Sequence, residues 1–192
     1  WGLGMPQVSK SDLTTGNHTY CSKTIQSHDC VFIITAPYCN DAAAQAESTS
    51  LPHSNFDQDF AHEFIKKHGL AVRALGIKCA DAAMAYEKIT AAGGVGVLPP
   101  VTSVDKTTGH TQVISETKLF DDTVLRWVSG DFDGPGLANY VPVKSFDKLD
   151  FGLQRIDHVV NNVPSLFEAV DYLMDTVGFH EFGEFTAEDV GT

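Results

Sequence analysis

The sequence has no C-x-x-C pair, no apolar run long enough to cross a bilayer and no block of like charge. The four cysteines, Cys21, Cys30, Cys39 and Cys79, are too dispersed for a zinc knuckle or a redox dithiol. A chain of 192 residues can build its core without disulfides, so they read as reduced, buried thiols of an intracellular protein. Basic residues are scarce: 13 Lys and Arg against 25 Asp and Glu leave a formal net charge of -12. That balance argues against nucleic acid and anionic membrane surfaces, which need a basic patch. No secretory signal is visible, so the sequon at Asn17-His18-Thr19 reads as unused. An initiator methionine is also missing. The chain opens at Trp1 and stops at Thr192 inside a strand-like stretch, and both ends read as cut.

What is present is ordinary for a globular protein, 43% hydrophobic and 20% charged, and long enough for one large domain or two small ones. Strands are expected over 18–26 and 30–37, joined by a turn at Ser27-His28-Asp29; the second contains the run Val31-Phe32-Ile33-Ile34-Thr35. Residues 40–57, rich in Ala, Ser, Asn and Gln, read as an exposed loop. A helix over 60–68 stops at Gly69. A strand over 72–79 precedes a helix over 82–92, capped by Asp81 and ended by Gly93-Gly94. Strands over 111–120 and 123–129 meet at Asp121-Asp122. Residues 131–150, with Gly134-Pro135-Gly136 and Pro142, form the best linker candidate.

After the linker the pattern restarts. A strand over 155–161 leads into a helix over 164–177. That helix has an apolar stripe of Leu166, Phe167, Val170, Leu173, Met174 and Val177, a proline in its first turn and Gly178 as its stop. A further strand begins over 182–186. Arg73-Ala74-Leu75-Gly76-Ile77 and Arg155-Ile156-Asp157-His158-Val159 both open a strand, turn and amphipathic helix. Superposed, they set Gly76 opposite His158. On a strand Ile156, His158 and Val160 share one face, so an imidazole stands between two aliphatic side chains. A lone histidine in such a setting serves more often as a buried structural residue, and a metal needs several ligands.

The stretch from Arg155 to Pro164, followed by Gly178-Phe179-His180-Glu181-Phe182-Gly183-Glu184-Phe185-Thr186-Ala187-Glu188-Asp189-Val190-Gly191-Thr192, resembles the 4-hydroxyphenylpyruvate dioxygenase family, the plant and algal form more than the animal one. Trp1-Gly2-Leu3-Gly4-Met5, Lys10-Ser11-Asp12-Leu13-Thr14-Thr15-Gly16-Asn17, Ile34-Thr35-Ala36-Pro37-Tyr38, His68-Gly69-Leu70-Ala71-Val72-Arg73-Ala74 and Asp122-Thr123-Val124-Leu125-Arg126-Trp127 carry the likeness through the chain in order. Asn161 departs from it, standing where plant-type members usually have glycine.

The resemblance implies an α+β, vicinal oxygen chelate fold of paired β-α-β-β-β modules. It implies that residues 1–150 are a non-catalytic N-terminal domain lacking its opening strand, and that 151–192 are the truncated start of the catalytic domain. It further implies iron(II) held by two histidines and a glutamate. His158 matches the first ligand, the other two fall beyond Thr192, and Val160 matches a substrate-pocket position. The implied reaction converts 4-hydroxyphenylpyruvate and O2 to homogentisate and CO2. This is a step of tyrosine and phenylalanine catabolism whose product is a plastoquinone and tocopherol precursor. A homo-oligomer in the cytoplasm, or in the plastid, is the accompanying expectation, and the fragment alone is expected to be inactive. The alternatives are a 4-hydroxymandelate synthase and a non-catalytic binding or oligomerisation module of the same fold.

Other signals are weaker. His62 and His68 stand six apart, on different faces of a helix, against the i, i+4 spacing of a zinc-protease helix. Gly93-Gly94-Val95-Gly96 follows a helix rather than a strand, which makes it a helix stop and not a nucleotide loop. His180 and Glu184 read as structural or surface residues, and Phe179, Phe182 and Phe185 as core.

Overall fold

The computed structural model describes residues 2–144 and 150–190. The middle of the expected linker, 145–149, and Trp1, Gly191 and Thr192 lie outside the described residues. Along the chain run β1 (Gln7–Ser11), β2 (Tyr20–Ser27), β3 (Cys30–Pro37), α1 (Ala42–Ala46), α2 (Gln58–His68), β4 (Ala74–Lys78), α3 (Ala82–Ala91), β5 (Gly96–Val104), β6 (Thr111–Phe120), β7 (Thr123–Gly130), β8 (Val141–Pro142) and α4 (Leu166–Tyr172). A π-type turn, Leu173–Val177, continues α4, and a single helical turn, Ala187–Val190, is α5. By compactness the chain divides into two units. One comprises Trp1–Ala71, Thr102–Gln112 and Gly130–Val160, the other Val72–Val101, Val113–Ser129 and Asn161–Thr192.

The first sheet has the order β3-β2-β1-β8. Its buried face is rich in small hydroxyls, beside Tyr20. Ser9 pairs across from Thr24 and Ser11 from Ser22, and all four are buried. Their oxygens are largely used: Ser9 Oγ donates to the Pro135 carbonyl at 2.8 Å, Tyr140 Oη donates to Ser22 Oγ at 2.8 Å, and Asn17 Nδ2 donates to Ser11 Oγ at 2.9 Å. The cover over this face comes from the expected linker. Leu137, Ala138 and Tyr140 are buried, and β8 pairs with β1. Residues 131–144 are therefore packed structure. Composition hides this because the contacts are made by glycine backbone and hydroxyls and carry no apolar stripe. Gly136, at φ 87°, shows how close the approach is: a Cβ there would lie 2.5 Å from Thr24 Oγ1 and 2.8 Å from Ser9 Oγ.

The second sheet has the order β4-β7-β6-β5, with β4 parallel to β7 from Ala74↔Val124 to Lys78↔Val128. With α3 it forms one complete β-α-β-β-β module. Asp81 starts α3 by accepting the Ala83 and Met84 N–H groups. Ala82, Ile89, Leu119, Leu125 and Trp127 make the core, joined by Leu75, Ile77, Leu173 and Val177. The parallel strand follows from the α3 crossover, since parallel neighbours need a long connection. β5 carries Pro99 and Pro100 and lies at the sheet edge, where missing N–H donors cost no ladder bonds.

Further expectations are corrected. Residues 40–57 are not all loop: Asp41 accepts the Ala43 and Ala44 N–H groups and starts α1 in an alanine-rich stretch. The strand expected over 155–161 is absent, and so is the one over 182–186. A strand needs a neighbour for its backbone donors and acceptors. Among the described residues, none pairs with these segments. Of the internal repeat, the first copy forms strand and helix, at β4 and α3, while among the described residues the second forms its helix, α4, without its strand. Phe179, Phe182 and Phe185, expected in a core, are exposed, and of the four free cysteines only Cys30 is buried.

Candidate functional site

His158 stands in an irregular arm that precedes α4 and has no strand partner among the described residues. Its side chain is 75% exposed, and its Nδ1 lies 2.8 Å from Asp157 Oδ2. In the neutral imidazole this contact places the proton on Nδ1, where the carboxylate can accept it, and leaves the lone pair on Nε2. Metal-bound histidines are commonly oriented in this way by a carboxylate on the other nitrogen. The donor set fits an iron ligand as far as it goes, which is one ligand. Val160, two residues on, is also exposed. The strand phase that was expected to put both side chains on one face is absent here, so the structure brings His158 and Val160 into the same arm and into no common pocket.

The arm is anchored at its start, within the first unit. Ser27 Oγ donates to the Leu153 carbonyl at 2.8 Å, and His28 Nδ1 lies 3.1 Å from the same oxygen. The Asp29 N–H donates to the Gln154 carbonyl at 2.8 Å. Upstream, the Phe151 ring rests against Gly4, whose added Cβ would lie 2.8 Å from it. Sequence reasoning identified Ser27-His28-Asp29 as a turn and missed what the turn holds. No local pattern relates it to residues more than a hundred positions away.

Gly76, the sequence counterpart of His158, sits in β4 opposite Arg126. Its neighbourhood carries a charge cluster. Glu116, nearly fully buried, accepts from Arg126 Nε at 2.7 Å and pairs with Arg126 Nη2 at 2.6 Å and Arg73 Nη2 at 3.6 Å. Burial pushes the Arg73 guanidinium below its ordinary pKa, and the Glu116 carboxylate works in the opposite direction. An ion pair of this kind fixes the module and offers no open ligand. His62 points its Nε2 at the Tyr38 carbonyl, 2.8 Å away, and the ring of His68 lies 4.7 Å from that of Phe64.

These features gain meaning beside known proteins. The chain is 46% identical over 197 residues to the 4-hydroxyphenylpyruvate dioxygenase of Plectranthus scutellarioides and 43% identical over 196 residues to that of Daucus carota. It resembles these plant dioxygenases from end to end. All of the chain is covered in both alignments, but it spans only 44% and 43% of the two relatives. Among solved structures, a triple mutant of 4-hydroxymandelate synthase from Streptomyces coelicolor superposes with a TM-score of 0.66. It covers 94% of this chain and 47% of that one, at 14% identity. The fold is the vicinal oxygen chelate fold, an α+β arrangement of β-α-β-β-β modules. No family model matches the chain.

Proposed function

We propose that the chain is part of an iron(II)-dependent dioxygenase that converts 4-hydroxyphenylpyruvate and O2 to homogentisate and CO2. The observation that carries this reading is the similarity to plant enzymes of that name along the whole chain. The synthase is a neighbour at 14% identity, which speaks for fold and not for product. Residues 1–150 would be the non-catalytic domain and 151–192 the opening of the catalytic domain. Homogentisate formation would place the whole protein in tyrosine catabolism, as a homo-oligomer in the cytoplasm or the plastid.

His158 would hold iron through Nε2, while Asp157 keeps the proton on Nδ1. When bound, iron(II) supplies a face on which a 2-oxo acid and O2 can meet. Val160 would wall the pocket beside that face, excluding water and limiting the width of the substrate. For this arm to do so, residues 155–161 must gain a strand neighbour from polypeptide outside the described residues, since a paired strand puts His158 and Val160 on one side.

The test is turnover by the whole protein. Homogentisate, with O2 consumed and CO2 released in equal amounts, is expected. 4-Hydroxymandelate as product would assign the synthase instead, and the absence of O2 uptake with iron(II) present would reject both.

A further inference from the structure

We propose that the Ser27-His28-Asp29 turn is a clamp that sets the position of the His158 arm. The proposal rests on His158 being an iron ligand. Three donors from three consecutive residues of the β2–β3 turn converge on two consecutive carbonyls, Leu153 and Gln154. Both partners belong to the same compact unit. His28 adopts φ 50°, a left-handed conformation that costs a histidine backbone energy. That conformation accompanies the presentation of its Nδ1 and of the next N–H to the arm. Gln26 Nε2 holds the turn from behind, on the His28 carbonyl at 2.8 Å.

Beyond Gln154 no described residue pairs with the arm until α4. His158 lies four residues past the clamp, roughly 13 Å if the arm is extended. The clamp thereby fixes where the strand required by the proposed site begins, and a metal ligand tolerates a displacement of only about 0.5 Å. A clamp of two side chains and one N–H, rather than a single contact, resists tilt because its hydrogen bonds act on successive carbonyls. Ser27 and His28 are thus positioning residues: they touch neither substrate nor metal and act through the backbone that carries the ligand.

The experiment uses the whole iron-loaded protein. Ser27→Ala combined with His28→Gly removes both side-chain donors while keeping a residue at ease with positive φ. Gln26→Ala loosens the same turn without touching Leu153 or Gln154. Iron release to an excess of chelator, amide exchange over 153–160, KM for 4-hydroxyphenylpyruvate and thermal stability are measured together. The double variant should release iron about tenfold faster, at the low end of what losing an outer partner costs a metal ligand. It should also exchange faster over 153–160 and raise KM more than it lowers kcat. Gln26→Ala should change thermal stability similarly and leave iron release and KM alone. Ser27→Thr should restore the wild-type release rate in the presence of His28. Equal iron release and exchange in the double variant and wild type would overturn the clamp while leaving the dioxygenase reading intact. Wild-type protein that holds no iron would overturn both.

Discussion

The Arg126 guanidinium lies 2.6 Å from Glu116 Oε1, on the strand residue that pairs with Gly76. The ion pair is shielded: Glu116 is 5% exposed and Arg126 20%. Replacing Glu116 by Gln would remove the carboxylate that the Arg126 and Arg73 guanidinium groups share. We expect Glu116→Gln to cost about 3 kcal/mol, toward the low end for breaking a buried pair because the arginines keep some water. Urea unfolding would show it. A change below 0.5 kcal/mol, the range of ordinary surface substitutions, would mean that the pair contributes nothing to the module.

Gly136 tests whether residues 131–144 are structure or tether. A Cβ at Gly136 has no room against Thr24 Oγ1 and Ser9 Oγ, and φ is 87°. Gly136→Ala should destabilise by about 2–4 kcal/mol, combining left-handed strain with overpacking. Gly109, also at positive φ but with open space around a Cβ, serves as the control: its alanine variant should lose only about 1–2 kcal/mol. Equal losses at the two sites would show that the packed cover over the hydroxyl face is not tight.

Asp105 predicts an acid limb. Burial is the strongest single influence on its carboxyl and pushes the pKa up. The N–H groups of Asn139, Thr108 and Thr107 and the Thr108 hydroxyl together outweigh it and hold the group below its ordinary value. A depressed folded pKa means stability that is fully present above the unfolded pKa, about 3.9. It is lost as pH falls through the folded value. The destabilisation caused by Asp105→Ala should therefore shrink as pH drops from about 5 toward 2. Denaturant titrations of both proteins across that range measure it, and a constant difference would contradict the assignment.

Tyr172 ties α4 to the β-α-β-β-β module. Its hydroxyl donates to the Lys118 carbonyl at 3.0 Å and accepts from the Val95 N–H at 3.2 Å. Tyr172→Phe should cost about 1–2 kcal/mol, two neutral hydrogen bonds at their usual net worth. It should also speed amide exchange in α4 and its π-type turn. Unchanged exchange there would show that Leu173 and Val177 hold the helix by packing alone.

Much of the fold was legible in the sequence where one period ruled. β3 and β6 match their expected bounds because alternating or continuous β-branched runs sat between clear turns. Asp81 and Gly93 marked α3 by cap chemistry alone. β1 escaped notice because its buried residues are Ser9 and Ser11, which carry no apolar signal. β5 was hidden by Pro99 and Pro100. For the proposed site the sequence offered one metal ligand, His158, through resemblance. Its surroundings were not legible, because the turn at Ser27 and the carbonyl of Leu153 meet only in three dimensions. The strand phase at His158 failed for a plain reason: alternation describes a strand that has a neighbour, and among the described residues this segment has none.

His158 is the residue on which the proposed iron site rests, so its loss is the most direct test. The whole protein and its His158→Ala variant would be purified anaerobically, loaded with iron(II), desalted and assayed for metal. Wild type should retain equimolar iron. The variant should retain little, with its thermal unfolding nearly unchanged because the side chain is 75% exposed and supports no core. Equal iron in the two proteins would remove His158 as a ligand and contradict the proposed dioxygenase site.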